Sequence, residues 1–344
     1  MPEGDTVWLA ARRLDGALAG QRLVRGELRV PALATVDLAG VTVRGVAARG
    51  KHLLFRLDDG RSLHTHFLMD GAFHLYRPGS PWRGGAAHQV RAVLATTSAV
   101  AVGYRLGIVE LVPTAAEERA VGGLGPDVLG DDWDLDVALA NLLARPRRQV
   151  GAALLDQRVL AGLGNIWRTE ACFLAGVSPW TPVADVRDPR RLLELGARLV
   201  AANASRPEQI STGSRRAAGW PPARSDRENG RSPRSRRAAG WPPARSDRED
   251  GRSPRSRRAA GWHWVYGRAG RPCRRCGTTI RRAEQDHDAG EAPPGVPRRI
   301  ATGASRTTAW CPCCQPGPGP APGSRPTPGY RTGQARRGPG PAPG

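Results

Sequence analysis

Leu160-Ala161-Gly162-Leu163-Gly164-Asn165 separates two stretches of helical apolar period, residues 149–156 and 165–175. Two glycines in three positions permit the positive φ that other residues resist, and Asn165 is placed to cap the helix that follows. A turn of this kind gathers backbone N–H groups on one side, which suits a phosphate; a plain interhelical turn would use the same residues. Helical period also marks residues 134–144 and 189–203, with breaks at Arg145-Pro146 and Ser178-Pro179. The spacing predicts a compact unit of short helices over residues 126–213.

Upstream the pattern changes. Residues 1–20 read as one helix, with Asp5 or Thr6 as the cap and Val7, Leu9, Ala10, Leu14 and Leu18 on one face. Residues 21–112 read mainly as strands, clearest at 41–43, 52–55, 63–67, 92–97 and 108–112, with Asp58-Asp59-Gly60 as a turn between two of them. A β-rich domain behind a single helix is expected over residues 1–125.

Downstream, Ser-Arg-Arg-Ala-Ala-Gly-Trp recurs at Ser214, Ser235 and Ser256, a period of 21 residues. Residues 214–255 hold almost no aliphatic side chains and read as disordered, as does the Pro/Gly tail over 315–344. A further insertion is read near 285–305. Cys273-Arg-Arg-Cys276 and Cys311-Pro-Cys-Cys314 are matched C-x2-C pairs, a strong signal for one tetrahedral Zn2+ with all four positions closed, and so structural. Cys311 and Cys314 mirror the spacing of the first pair; Cys313 is a competing thiol. Cys172, in an apolar helix, reads as a buried small hydrophobe.

The 344 residues carry a formal charge of +21, of which the repeats hold +7 and the tail +4, leaving +10 on the rest. A polyanion such as nucleic acid fits dispersed cations of this kind, although a solvated basic surface has the same composition. No apolar run reaches the roughly 18 residues of a membrane helix, and residues 2–5 do not open like a secretory signal. A membrane protein, a disulfide scaffold and a collagen-like fibre are poor readings. Of the 52 basic residues, 51 are Arg and one is Lys51. Arginine binds phosphate equally well but does not release a proton near neutral pH, so Lys51 reads as chemical, with chance survival the competing explanation.

Together these motifs carry a family resemblance. Pro2-Glu3-Gly4-Asp5-Thr6, Arg49-Gly50-Lys51-His52-Leu53, His66-Phe67-Leu68-Met69-Asp70-Gly71, Leu124-Gly125-Pro126-Asp127, the stretch from Leu154 to Ile166, Val265 to Gly270, and Arg306 before the second cysteine pair occur in order. The sequence resembles the formamidopyrimidine-DNA glycosylase and endonuclease VIII family, most like its actinobacterial endonuclease VIII branch. Residues 1–203 and 256–314 carry the likeness; the repeats and the insertion before Arg306 depart from it, and the second departure bears on the geometry of Arg306.

The resemblance implies a multidomain α+β chain: an N-terminal helix plus β-sandwich, a helix-two-turn-helix domain, and a C-terminal zinc ribbon over residues 256–314. It implies a monomer acting in the cytoplasm on damaged double-stranded DNA. Pro2, once Met1 is removed, would attack the sugar C1′; its α-amine titrates near 8, so a useful fraction is neutral. Glu3 would shuttle protons, and Lys51 would donate a proton or hold a phosphate. Because the base must leave the stack, Leu68 and Met69 are the candidate wedge. Asn165 and Arg306 would clamp phosphates, Arg306 also assisting the final elimination. His64 and His66 read as strand packing. An inactive DNA-binding protein of the same fold is the alternative, and Pro2, Glu3 and Lys51 argue against it.

Overall fold

The computed structural model describes residues 2–212, 263–285 and 307–319. The repeats, Arg306, residues 286–305 and the tail from residue 320 lie outside the described residues. Helix α1 (Gly4–Leu18) buries Val7, Ala11, Leu14 and Leu18, one stripe at helical spacing. Neither Asp5 nor Thr6 caps it. Glu3 holds the N-cap position in an extended conformation, and Asp5 is buried within the first turn.

Eight antiparallel strands follow in two sheets. β1 (Arg25–Leu28), β6 (Val90–Ala95), β7 (Val100–Tyr104) and β5 (Ala72–Tyr76) form one, in that spatial order. β2 (Val43–Arg49), β3 (His52–Leu57), β4 (Arg61–His66) and β8 (Ile108–Pro113) form the other. The stripe of α1 and the inward residues Leu53, Phe55, Leu63, Ala92, Leu94 and Ala101 share one core. Alternation turns His52, Leu54, His64 and His66 to the other face of the second sheet. β1, β5 and β7 have no counterpart among the five stretches read from sequence; β7 is buried at every position, so no polar–apolar alternation marks it.

After a single turn, α2 (Glu118–Val121), come α3 (Leu135–Leu143), α4 (Val150–Leu155), α5 (Asn165–Ala175) and α6 (Pro189–Asn203). These match the expected periodic stretches within a residue or so at each end. Asp134 caps α3 and Asp188 caps α6 through side-chain acceptors. For α5 the cap position belongs to Gly164, and Asn165 is already helical, contrary to its expected role as the cap.

β9 (Arg281–Glu284) and β10 (Thr307–Trp310) make a two-stranded ribbon docked on the helices. Trp310 packs edge-on against Trp180 at 4.5 Å between ring centroids, beside Ala283. The centre of the dock is Arg168 on α5, fully buried. Its guanidinium donates to the Gly151 carbonyl at 2.9 Å, to Gln285 Oε1 at 2.6 Å, to Asn165 Oδ1 at 2.9 Å, and to Thr308 Oγ1. Two residues that composition assigns to the insertion and the tail belong to this dock. Gln285 is buried and also donates to the Pro179 carbonyl, while Gln315 is buried, donating to the Val177 carbonyl and accepting from the Cys311 N–H. Composition misses them because one glutamine in a polar run carries no pattern; its amide acquires a role only when the ribbon meets α5.

Replacing Arg168 with Met would take a donor from four buried acceptors, of which Gln285 Oε1 keeps the Thr308 hydroxyl at 3.3 Å. Arg168→Met should lower stability by about 3 kcal/mol, read as a lower denaturant midpoint at unchanged slope; an unchanged midpoint would show that the apolar contacts alone hold the ribbon.

Candidate active site

Gly4 and Gly162 bring the start of α1 against the turn before α5. The Gly4 N–H donates to the Gly162 carbonyl at 2.8 Å, and a Cβ on Gly4 would lie 2.7 Å from Gly162 Cα. Gly162 itself has φ of 95°. This approach delivers Glu3, fully buried, to the N-terminus of α5. Its Oε1 accepts from the Ile166 N–H at 2.6 Å, and its Oε2 from Gly164 at 3.1 Å and Trp167 at 3.3 Å. The orphan donors and positive end of a helix favour an anion there. The N–H groups that would suit a phosphate, as the turn's sequence allows beside a plain interhelical role, hold the protein's own carboxylate at these three positions.

Burial raises the Glu3 carboxyl to about 7; the Lys51 ammonium opposes the rise, Asp5 adds to it, and the Ile166 and Trp167 N–H groups oppose it. Lys51 is half-buried and follows Gly50, which turns between β2 and β3 with φ of 57° and donates to Asp127 Oδ2 at 2.6 Å. Burial lowers the Lys51 ammonium from its usual range, while Glu3 and Asp5 draw it up and Arg168 draws it down. Pro2, partly exposed, directly precedes Glu3. Tertiary folding thus brings Glu3 and Lys51 into one electrostatic neighbourhood, with Pro2 next to Glu3 along the chain, and two further groups, Asp5 and Arg168, join it. Asp5 is buried, accepts from Gln209 at 3.1 Å and is raised by burial. Arg168 carries a positive charge into the same neighbourhood; its signal in the sequence is the one Arg of α5, three residues after Asn165.

Asn165 is buried. Its Oδ1 accepts from Arg168 and its Nδ2 donates to the Thr307 carbonyl at 3.3 Å, so the chain enters β10 beside it. Leu68 and Met69 lie in the loop between β4 and β5 with different roles. Leu68 is half-buried at φ of 52°, over Gly107, where a Cβ would come within 2.0 Å of Leu68 Cδ1. Met69 is 43% exposed. Arg105, also left-handed and unremarked in the sequence, donates to the Asp70 carbonyl at 3.2 Å and to Gln89 at 2.9 Å, bracing the loop from β7.

The Sγ atoms of Cys273, Cys276, Cys311 and Cys314 lie within 4.8 Å of one another. Cys273 and Cys314 are 3.9 Å apart and Cys276 and Cys311 3.5 Å. A tetrahedral thiolate site with bonds of about 2.3 Å needs edges of roughly 3.8 Å, so the four residues fit a metal ion. Hydrogen bonds from Thr278 pull Cys276 down to about 6, while burial pushes Cys311 and Cys314 up. Cys313 is exposed and outside the group. Cys172 is fully buried, and burial pushes its thiol up to about 12, as suits an inert core residue.

Two outcomes follow from this geometry. The folded Glu3 carboxyl keeps a proton that the unfolded chain, near 4.5, has released. Stability should therefore fall as pH rises from about 4.5 to about 7, by up to about 3 kcal/mol, and level off above. Glu3→Gln should remove that fall, so its denaturation midpoint gains on the wild type between pH 5 and 7.5; parallel curves would place the Glu3 carboxyl at an ordinary value. Metal analysis should find about one ion per chain, lost on joint Cys276→Ser and Cys311→Ser substitution and retained in Cys313→Ser; loss in the last would put Cys313 among the ligands.

Comparison with known proteins gives the family of the chain. Residues 1–105 match the family model for the formamidopyrimidine-DNA glycosylase N-terminal domain, and residues 124–195 that for the formamidopyrimidine-DNA glycosylase H2TH domain. A probable endonuclease 8 2 of Streptomyces coelicolor is 45% identical over 327 residues, covering 94% of this chain and 98% of the relative. A DNA-(apurinic or apyrimidinic site) lyase of Mycolicibacterium smegmatis is 38% identical, covering 92% and 99%. Among solved structures, Lactococcus lactis formamidopyrimidine-DNA glycosylase bound to DNA containing an abasic site aligns with a TM-score of 0.63 at 20% identity, over 92% of this chain and all of the other. The motifs, the fold and these relatives converge: the chain belongs to the formamidopyrimidine-DNA glycosylase and endonuclease VIII family.

Proposed function

We propose that this protein is a bifunctional DNA glycosylase and abasic-site lyase of base excision repair, acting as a cytoplasmic monomer on oxidised bases, pyrimidines in particular, in double-stranded DNA. The observation that carries the reading is the buried Glu3 carboxyl, raised to about 7 beside Pro2 and within the field of Lys51. A carboxyl poised near neutral pH both gives and takes protons efficiently.

In this reading the Pro2 amine forms a bond to C1′ as the C1′–base bond breaks, and the base leaves with the proton that the amine gives up. Glu3 protonates the opening sugar, and the nitrogen becomes an iminium. That cation draws electrons from the C2′–H bond; a base removes the proton and the 3′ phosphate departs, followed by the 5′ phosphate in a second elimination. Lys51, lowered by burial, either donates a proton or holds a phosphate. Met69, on its braced loop, fills the space left by the base, with Leu68 as its seat. Asn165 and Arg306 hold backbone phosphates, as the family resemblance implies. Zn2+ on Cys273, Cys276, Cys311 and Cys314 would supply structure, fixing the ribbon. The chain divides into a catalytic β-sandwich domain at 1–125, a helical domain at 126–213, the repeats at 214–255, the ribbon at 256–314 and the tail. Among the described residues, no helix is long and apolar enough to cross a membrane.

Borohydride should trap a covalent adduct between the N-terminus and duplex DNA containing an oxidised pyrimidine. Pro2→Gly, or a protein retaining Met1, should lose most of it; full trapping by the Met1-retained protein would place the nucleophile elsewhere.

A further inference from the structure

Three imidazoles lie together on the face of the second sheet that points away from the core. His52 and His64 are nearly fully buried, with His52 Nδ1 2.8 Å from His64 Nε2 and the rings stacked at 5.1 Å and 20°. His66, paired across the strands with His52, meets the His52 ring edge-on at 4.8 Å and 75°. At the far end His64 Nδ1 lies 3.4 Å from Glu110 Oε2 on β8. The proposed chemistry uses none of these contacts.

The third ring reaches the loop. His66 Nδ1 accepts the Leu68 N–H at 2.9 Å. An imidazole that accepts at Nδ1 carries its proton on Nε2 and is neutral. Leu68 is where the loop needs support, since a non-glycine residue at φ of 52° is disfavoured by its own Cβ. The loop closes through the Gly71 N–H on the Phe67 carbonyl at 2.9 Å, and Leu68 settles over Gly107. With Leu68 fixed, the next residue, Met69, faces outward.

We infer that the His52–His64–His66 array is the latch of the Phe67–Gly71 loop: His66, held as a neutral acceptor, fixes Leu68 in its left-handed conformation, and the His52–His64 pair holds the His66 ring in place. The surroundings keep His66 uncharged. Burial lowers it to about 3, helped by Lys51 from the β2–β3 turn and by His64 on its own strand. Burial likewise lowers His52, with His66, His64 and Lys51 adding to the effect. His64 is lowered by burial against the opposing pull of Glu110 on β8 and of Glu117 before α2, and His52 stands between those carboxylates and His66 in the chain of contacts. The latch therefore stays closed across the neutral and mildly acid range, and His52, His64 and His66 are positioning residues for Met69.

The functional meaning of the latch rests on Met69 being the wedge, but its existence is testable on the full chain without DNA. Hydrogen exchange of peptides spanning residues 67–71 reads the loop, with strands β3 and β4 as internal controls for folding. His66→Leu should speed loop exchange at least tenfold while the controls hold. His66→Asn, whose Oδ1 takes the place of Nδ1, should stay within about threefold of the wild type. His52→Phe keeps a ring against His66 but orphans His64 Nε2, and should speed loop exchange as well. Wild-type protection, corrected for intrinsic rate, should be level from pH 8 to pH 5. Unchanged exchange in His66→Leu, equal loss in the Asn and Leu variants, or loss of wild-type protection by pH 5 would each overturn the latch; unchanged exchange in His52→Phe would overturn the part given to the pair. Borohydride trapping by the wild type decides the glycosylase reading separately, so failure of one leaves the other standing.

Discussion

The Glu3 carboxylate is bound by the first backbone N–H groups of α5, and the rest of the site is arranged around that contact. It ties the N-terminal helix to the helical region more than 160 residues away along the chain. Two opposed tendencies meet there. Helix-end donors stabilise an ionised carboxylate, whereas complete burial penalises it. Burial outweighs the donors, leaving a carboxyl near 7 rather than a permanent anion. Lys51 and Asp5 shift that balance in opposite directions, so charge changes at any of the three positions propagate to the others.

A second buried charge organises the other side of α5. Arg168 is fully buried, and the acceptors on its guanidinium are neutral oxygens from α4, from both sides of the ribbon and from Asn165. Removing it strands several acceptors at once. The cysteine cluster then acts at a distance. Its knuckles hold the Arg281–Trp310 end of the ribbon, and Arg275 between Cys273 and Cys276 lies over the Phe173 ring of α5 at 4.6 Å. Order in the knuckles and order around Asn165 are thus parts of one packed unit.

The polar face of the second sheet follows the same logic. Buried polar groups persist where each finds a partner: Glu117 accepts from the exposed Arg56 and from the buried Ser62 hydroxyl, and the histidines bond to one another and to the loop. The loop bearing Met69 is braced from both flanks, by His66 before it and Arg105 after it. A projecting side chain on a short loop needs that bracing, because ordering it only on contact would cost conformational entropy at that moment.

Local chemistry made much of this protein legible in its sequence. Helical period placed α3 to α6, matched cysteine spacing gave the four-thiol cluster, and the glycine pair located the turn before α5, because each depends on neighbours a few residues apart. The N-terminal Pro2-Glu3 and the single Lys51 could be picked out by residue type alone. Sequence could not say which anion the α5 N-terminus holds, since Glu3 reaches it only when Gly4 meets Gly162. Nor could it show that Asn165 is engaged with Arg168 and Thr307 rather than capping its helix, that Gln285 and Gln315 belong to a buried interface, or that Leu68 is the seat and Met69 the projection. Each of those depends on partners far apart along the chain. Burial and neighbouring charge, which set the properties of Glu3, Lys51 and His66, come into being only when the sheets, helices and ribbon pack together.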